Sequence, residues 1–268
     1  MLQPFSQWIL AAILATTVVA VAHRMQRLSP SGAVSAALLG TIIVGTGGWL
    51  PGVVLVSFFV SSSLLSASSD STHTQARGSR RDWIQVLANG WGMLLGCLLF
   101  AITGWTPWLL FGVGAVAAAT ADTWSSELGR KSSSPPRLIT TGKIVAPGTS
   151  GAISLYGSLA AVGGAAMIAL IAAVAIWLRL FDLDTAPTRV LIAITLAGVG
   201  GAMLDSVLGA TVQEQRWCDS CGKATEANPH RCGAATRQID GLTGFSNDVV
   251  NIICVLTGAL IGLVSGIL

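Results

Sequence analysis

GAISLYGSLAAVGGAAMIALIAAVAIWL, Gly151 to Leu178, runs for 28 residues without a charged side chain. A helix that crosses a bilayer needs roughly 17–25 mostly apolar residues. This stretch therefore makes lipid its solvent. The same signature recurs on both sides of it, at Phe5–Ala22, Ser31–Thr46, Pro51–Ala67, Trp83–Thr103, Pro107–Ser126, Val190–Gln213 and Asp248–Leu268. The expected fold is all-α, a polytopic integral membrane protein of about eight transmembrane helices in a single transmembrane domain over residues 1–268. The second and third runs are short, and as one bent or re-entrant hairpin they would reduce the count to seven. Composition agrees: 52% of residues are hydrophobic, 10% are charged and the mean hydropathy is +0.71. Soluble domains carry roughly 25% charged residues.

Charge placement sets an orientation. Basic residues gather in alternate connections, at Arg24 and Arg27, at Arg77, Arg80 and Arg81, at Arg130, Lys131, Arg137 and Lys143, and at Arg216, Lys223, Arg231 and Arg237. These are 13 of the 15 Lys and Arg; Arg179 and Arg189 fall on the other side. By the positive-inside rule the four basic loops face the cytoplasm and both termini lie outside, in a cell (inner) membrane. The net charge of +3 gives no footing for nucleic acid. Trp8, Trp49, Trp105, Trp108 and Trp177 fall near the outer boundary, and Trp83, Trp124 and Trp217 near the inner one, as aromatic belts do. The first run lacks a basic segment before it, so it reads as a retained span and not a cleaved signal. Polar stretches are expected as cytoplasmic loops at Ser57–Thr74, Arg130–Ser150 and Glu214–Asn247.

Carboxylates inside spans are costly and mark function. Asp122 and Glu127 lie near the inner end of the fifth span, Asp205 lies two turns inside the seventh, and Asn247, Asp248 and Asn251 open the eighth. Oxygen ligands of this kind suit Mg²⁺ held with substrate phosphates, so Asp122, Asp205 and Asp248 are candidate metal ligands. The alternative is that each merely caps a helix or bonds a neighbour; for Asp248, at an interface, that reading weighs as much as the first. Arg137 and Lys143 precede a turn, Gly148-Thr149-Ser150-Gly151, read as opening the sixth span. A Gly/Ser/Thr turn before a helix N-terminus can cradle phosphate, although the same residues also make an ordinary cap. No G-x-x-x-x-G-K-[ST] loop, kinase H-R-D or D-F-G set, or G-x-S-x-G elbow is present, which excludes those established routes.

Cys218, Cys221, His230 and Cys232 form C-x2-C-x8-H-x-C within 214–247. The first pair has zinc-knuckle spacing and four N/S ligands close a tetrahedral site, although the H-x-C half is tight and unliganded thiols are the alternative. Cys97 and Cys254, inside spans, read as small apolar residues.

The segments RDWIQVLANG (81–90), ADTWSSELG (121–129), PRLITTGKIVAPGTSGA (136–152), DSVLGATVQ (205–213) and NDVVN (247–251) resemble, in order and spacing, the family that contains plant phytyl-phosphate kinase and transmembrane protein 19. The resemblance covers the chain from about Ser29 onward. It implies transfer of phosphate from a nucleoside triphosphate, CTP foremost, to an isoprenyl (phytyl or geranylgeranyl type) monophosphate, with Mg²⁺. Its pattern falls on Asn89, Asp122, Trp124, Glu127, Gly129, Arg137, Gly148, Gly151, Asp205, Gly209, Gln213, Asn247 and Asn251. The chain departs from it at Ala121 and Ala152, where the family often has Gly. Asp122, Asp205 and Glu127 are thus the expected catalytic residues. Asn89, Arg137, Lys143, Gly148, Ser150, Gly151, Gln213, Asn247 and Asn251 are the expected substrate- and nucleotide-binding ones. A transporter or flippase with an intramembrane Asp path, and a cytidylyltransferase forming a CDP-lipid, are the competing readings. Isoprenoid length, nucleotide and oligomeric state stay open.

Cysteine-accessibility labelling is expected to place the loops bearing Arg81, Lys143 and Lys223 on one side and both termini on the other, in line with the 13-to-2 division of basic residues. Labelling of the Lys143 loop from the termini's side would overturn this orientation.

Overall fold

The structure is a computed structural model that describes residues 4–67, 80–180, 183, 185–225, 228–230 and 232–267. Arg77 and Arg231, two of the basic loop residues, lie outside the described residues. Eight helices stand among the described residues: α1 Phe5–Arg24, α2 Pro30–Gly47, α3 Trp49–Ala67, α4 Trp83–Thr103, α5 Pro107–Gly129, α6 Leu155–Trp177, α7 Pro187–Thr211 and α8 Asn247–Ile267. Seven are long and apolar enough to span a membrane by length and composition. The eighth, α5, has 23 residues and a sequence diluted by Gly, Ala, Thr and Asp because it is the central helix. Its residues Leu109 to Ala121 are all buried.

The second and third runs are two separate helices of 18 and 19 residues. At 1.5 Å per residue each is roughly 27 Å long, close to the hydrocarbon thickness. They turn back at Gly48, whose φ of 87° is a left-handed conformation that costs glycine nothing. Of the stretch Ser57–Thr74 expected as a loop, residues 68–74 lie outside the described residues, and residues 57–67 are instead the second half of α3, with Ser62 completely buried. Serine is tolerated there because it faces other helices and not lipid.

Helices α4, α6, α7 and α8, with α3, surround α5, while α1 packs on α2 and α2 on α4. Glycine makes this possible. A Cβ on Gly114 would collide with the Gly258 carbonyl, one on Gly96 would sit 2.5 Å from the Trp108 carbonyl, and one on Gly198 2.5 Å from the Ala165 methyl. Lipid supplies no hydrophobic drive between helices, so such close van der Waals approach carries the association. Caps define the helix starts. The Ser29 hydroxyl accepts from Gly32 N–H at 3.1 Å. Asp82 and Gln85 form a reciprocal box at 3.0 and 3.2 Å.

The polar loop 214–247 is not irregular. Strands Gln215–Cys218 (β3), Lys223–Thr225 (β4) and Arg237–Asp240 (β5) form a three-stranded antiparallel sheet, with β3 in the middle. A smaller pairing joins Arg137–Leu138 (β1) to Ala152–Ile153 (β2). The described ends of the four connections that carry the basic clusters gather at one end of the bundle, its basic face: Leu28 bridges Arg81, Ser66 meets Glu127, and Gly151 meets Ala210.

Gly114→Val should lower stability by about 1–3 kcal/mol or more, the cost of overpacking, because two helix backbones must separate. Gly163→Ala, where the added Cβ meets only Trp124 at 3.7 Å, should stay within about 1 kcal/mol of the parent. Thermal unfolding in one detergent checks both; equal melting temperatures for the pair would show that the α5–α8 contact is not limiting.

Candidate functional site

Helices α5 and α7 run in the same direction, and a Cβ on Gly201 would lie 2.6 Å from the Ala118 methyl and 2.7 Å from the Cys254 carbonyl. Residues four apart share a helix face. Asp122 and Asp205 therefore stand one turn nearer the basic face than Ala118 and Gly201, on the same two faces. Their carboxyls lie within hydrogen-bond reach of each other, and Arg130 bears electrostatically on Asp122. Helix α8 runs the opposite way, so Cys254, Asn251 and Asn247 climb the same stripe past the acidic pair. Both carboxylates act on Cys254, as convergence of the three helices requires.

Gln213, Asn247, Gly209 and Gly151 meet just beyond the pair. The buried Gln213 side chain donates from Nε2 to Asn247 Oδ1 at 3.5 Å. A Cβ on Gly209 would stand 2.9 Å from the Gly151 nitrogen. The Gly148–Gly151 turn thus lies against the last turns of α7. It does not open α6, as the sequence suggests: β2 intervenes, and α6 starts at Leu155 with Ser154 as its cap, accepting from Gly157 N–H at 3.1 Å. The reason is local. Gly151 has a φ of 74°, outside helical space, and Ser154 is the first extended residue that can cap. Ser150 is half-buried between the two.

Glu127 points elsewhere. Its position five residues after Asp122 rotates it away from α7, and it is buried against α3, where Ser66 donates to it at 2.9 Å. Arg130 pairs with it at 2.9 Å. Asp248 lies in the first turn of α8, and no carboxylate among the described residues joins Asp122 and Asp205 in a convergent group of three or more. Arg137 and Lys143 are exposed on the β1 hairpin, with Arg137 Nη1 donating to the Gly142 carbonyl at 2.9 Å. They flank the site at the surface and do not touch the acidic pair. Asn89 is half-buried on α4, its Nδ2 donating to the Gln85 carbonyl at 2.9 Å.

The cysteine loop converges. Ligand atoms of Cys218, Cys221, His230 and Cys232 all lie within 4.8 Å of one another. Cys218 and Cys232 sulfurs are 3.6 Å apart, and His230 Nδ1 is 3.5 Å from Cys221 Sγ and 3.2 Å from Cys232 Sγ. The β3–β4 turn presents the first pair, closed by Gly222 at φ 61°. The hydrogen bond from His230 brings the Cys232 thiol down to about 6, while its bond to Cys232 pushes Cys221 up to about 11. Cys232 is therefore the thiol of the set that gives up its proton most readily.

The family model for integral membrane protein DUF92 matches residues 13–259. The chain belongs to this family. Within the DUF92 family it is similar to Protein PGR of Arabidopsis thaliana, 30% identical and covering 94% of each chain. An uncharacterized membrane protein of Methanocaldococcus jannaschii is 34% identical over 76% of this chain and 83% of its own. Protein VTE6, chloroplastic, of Arabidopsis thaliana is 28% identical over 88% of this chain and 64% of its own. No solved structure matches significantly. As a DUF92 member the chain is a multi-pass membrane protein.

Two cations at this site are not among the residues that sequence reasoning selects. Arg130 pairs with Glu127 at i,i+3, a spacing that does announce itself on a helix. Arg81 is fixed through its backbone, Ser29 N–H donating to its carbonyl and its own N–H to the Arg27 carbonyl, each at 3.0 Å. Its guanidinium lies 5.5 and 5.6 Å from the Phe58 and Phe59 ring centroids. No sequence spacing links residues 58 and 81.

Proposed function

We propose that this DUF92 protein is a membrane phosphotransferase that moves the terminal phosphate of a nucleoside triphosphate, CTP foremost, onto an isoprenyl monophosphate. The observation that carries this reading is the Asp122–Asp205 pair, two carboxyls within hydrogen-bond reach on central helices. Two like charges at that separation cannot both stand bare; a proton or a cation must lie between them. A pair of carboxylates plus substrate phosphates is the usual holding set for Mg²⁺, and the residues fit it. When bound, that ion offsets the negative charge of the donor phosphates.

The chain's own groups supply positioning. A phosphate monoester, with its second pKa near 6, is largely a dianion at neutral pH, so the acceptor oxygen needs no base. It needs proximity to the donor and relief from repulsion. Arg130 supplies positive charge beside Asp122. Gln213, Asn247 and Asn251 offer amides, and the Gly148–Gly151 turn offers backbone N–H groups, with both glycines at positive φ (86° and 74°), the form of an anion-binding nest. Arg137 and Lys143, exposed above, attract an incoming triphosphate through the Debye range of roughly 8–10 Å. The basic face is the cytoplasmic face in this reading, where nucleotide is available.

A transporter shares the acidic pair but needs polar groups through the whole depth of the membrane. Here Asp122, Asp205, Gln213, Asn247 and Asn251 occupy only the half next to the basic face. The other half of α5, Pro107–Ala119, has no charged residue. That distribution favours a surface reaction. The resemblance to plant phytyl-phosphate kinase and the similarity to Protein VTE6 agree with it.

The zinc reading concerns the loop 214–247. Tetrahedral ligands at about 2.3 Å for sulfur and 2.1 Å for nitrogen stand roughly 3.5–3.8 Å apart. Two observed separations, 3.6 and 3.5 Å, match this range, His230 to Cys232 is tighter at 3.2 Å, and all four ligand atoms lie within 4.8 Å of one another, which supports a closed Cys3His site. Its task is to order the loop and not to react. Metal analysis of purified protein should give about one zinc per chain, falling in Cys218→Ser together with the melting temperature. A metal-free preparation of equal stability would discard this site.

Asp122→Asn and Asp205→Asn keep shape and remove charge. Each should lower diphosphate formation by on the order of 10²-fold or more, comparable to losing one transition-state electrostatic contact, in protein that still folds. The assay is CTP or ATP, Mg²⁺ and geranylgeranyl monophosphate in detergent, with products weighed by mass spectrometry. Near-full activity in both variants would refute the site. A CDP-lipid product would instead support cytidylyl transfer, and solute movement with no product would support transport.

A further inference from the structure

Beyond the acidic pair, α3 has a face that does not pack on α5. Together with α1, α2 and α4 it encloses a cavity of about 370 Å³, within the range of sites that take ligands of drug size. Its walls are apolar over most of their length, with Ala15, Ala36, Leu39, Gly40 and Val56 among them. At the end away from the basic face it reaches Trp49 and Gly52; at the other it reaches Phe59, Arg81, Gln85 and Asn89. From Trp49 to Phe59 along α3 is ten residues, roughly 15 Å of helix, so the cavity lies along the membrane normal. Val53 and Val56 line it yet are 52% and 41% exposed, which leaves a slot open towards lipid.

The polar groups of the cavity gather at the end near the basic face. Arg81 Nη1 is buried there and has no hydrogen-bond partner among the described residues. A guanidinium carries five donors and cannot shed its charge, so leaving one nitrogen buried and unsatisfied is costly. The Phe58 and Phe59 rings lie over the cation, and its backbone is pinned to residues 27 and 29. Gln85 and Asn89 lie on the next two turns of α4. Gly92 meets Ala115 and Gly96 meets Gly112 across the antiparallel α4–α5 contact. Continued one or two turns towards the basic face, that register brings Gln85 level with Asp122.

We propose that this cavity holds the hydrocarbon chain of the isoprenyl monophosphate, entering through the Val53–Val56 slot, with its phosphate on Arg81 at the depth of the acidic pair. The inference rests on the phosphotransferase reading for the identity of the ligand. Charge complementarity selects the occupant: an anionic head on the buried cation, and an apolar tail in a channel whose walls are mostly apolar side chains. A single flexible chain fits one slot, whereas a diacyl lipid must place a second chain outside it.

Photolabelling tests this directly. Protein in phosphatidylcholine nanodiscs is irradiated with geranylgeranyl monophosphate carrying a diazirine on its terminal isoprene, and the labelled residues are mapped. Label should fall within Trp49–Val56 and yield to unlabelled geranylgeranyl monophosphate. It should be lost in Ala36→Trp, which fills the cavity, and need roughly tenfold more ligand in Arg81→Gln, with Arg81→Lys intermediate and all three variants folded by thermal melting. Label that persists in Ala36→Trp, or that dioleoyl phosphatidic acid displaces equally well, overturns the proposal. If the protein takes the label as expected but transfers no phosphate, the chain site stands and the kinase reading falls. If Ala36→Trp turns over the twenty-carbon acceptor at the parent rate, the kinase reading stands and the cavity assignment falls.

Discussion

Two helix backbones meet where Gly201 faces Ala118, and the arrangement of charge in this protein depends on that contact. No side chain larger than hydrogen fits at Gly201, since its Cβ position is 2.6 Å from Ala118 and 2.7 Å from the Cys254 carbonyl. Because α5 and α7 run parallel, the residues one turn later on each helix must also meet, and those residues are Asp122 and Asp205. Small residues at the crossing thus bring two carboxylates together at a depth where neither would be stable alone. The glycines of α7 and the alanines of α5 act as a positioning device as much as a packing one.

The charges around that pair alternate. Arg81 feels Glu127, Glu127 pairs with Arg130 at 2.9 Å, and Arg130 acts on Asp122, which meets Asp205. In a low-dielectric setting each ion offsets the desolvation of its neighbours, so the row is more tolerable than its members taken singly. The two ends of the row are the places where a ligand has most to gain. Arg81 offers a buried donor to an anion, and the acidic pair offers oxygens to a cation. Glu127 holds Arg130 in place, a different task from the catalytic one that its proximity to Asp122 in the sequence suggests.

Much of this was legible in the chain. Apolar run lengths gave eight helices with ends within a few residues, because hydrocarbon thickness fixes length. The rarity of intramembrane carboxylates drew attention to Asp122 and Asp205. Three things were hidden. The centrality of α5 was masked because a helix buried in protein needs less hydropathy than one facing lipid. The Gly148–Gly151 turn resembles a helix opening until β2 and the Ser154 cap are seen, since Gly and Ser serve either purpose. Arg81 acts through Phe58 and Phe59, roughly six helical turns earlier in residue count, and no periodicity reports a contact between helices.

The cysteine loop bears on the same geometry. Helices α7 and α8 are joined by the long connection 212–246, and closing such a loop costs entropy that grows with the logarithm of its length. The sheet brings the two ends together: Glu214 N–H donates to the Phe245 carbonyl at 2.8 Å, and Leu242 N–H to the Val212 carbonyl at 2.9 Å. Glu214, held below the usual carboxylate range by the Gly244 N–H and by Arg216, ties β3 to the same turn. Gln213 and Asn247 are the residues at those two ends, and they meet beside the acidic pair. Ordering the strands through Cys218, Cys221, His230 and Cys232 therefore fixes how two amides present themselves to the site. A group of side chains outside the bundle would thus set how Gln213 and Asn247 meet without touching the acidic pair.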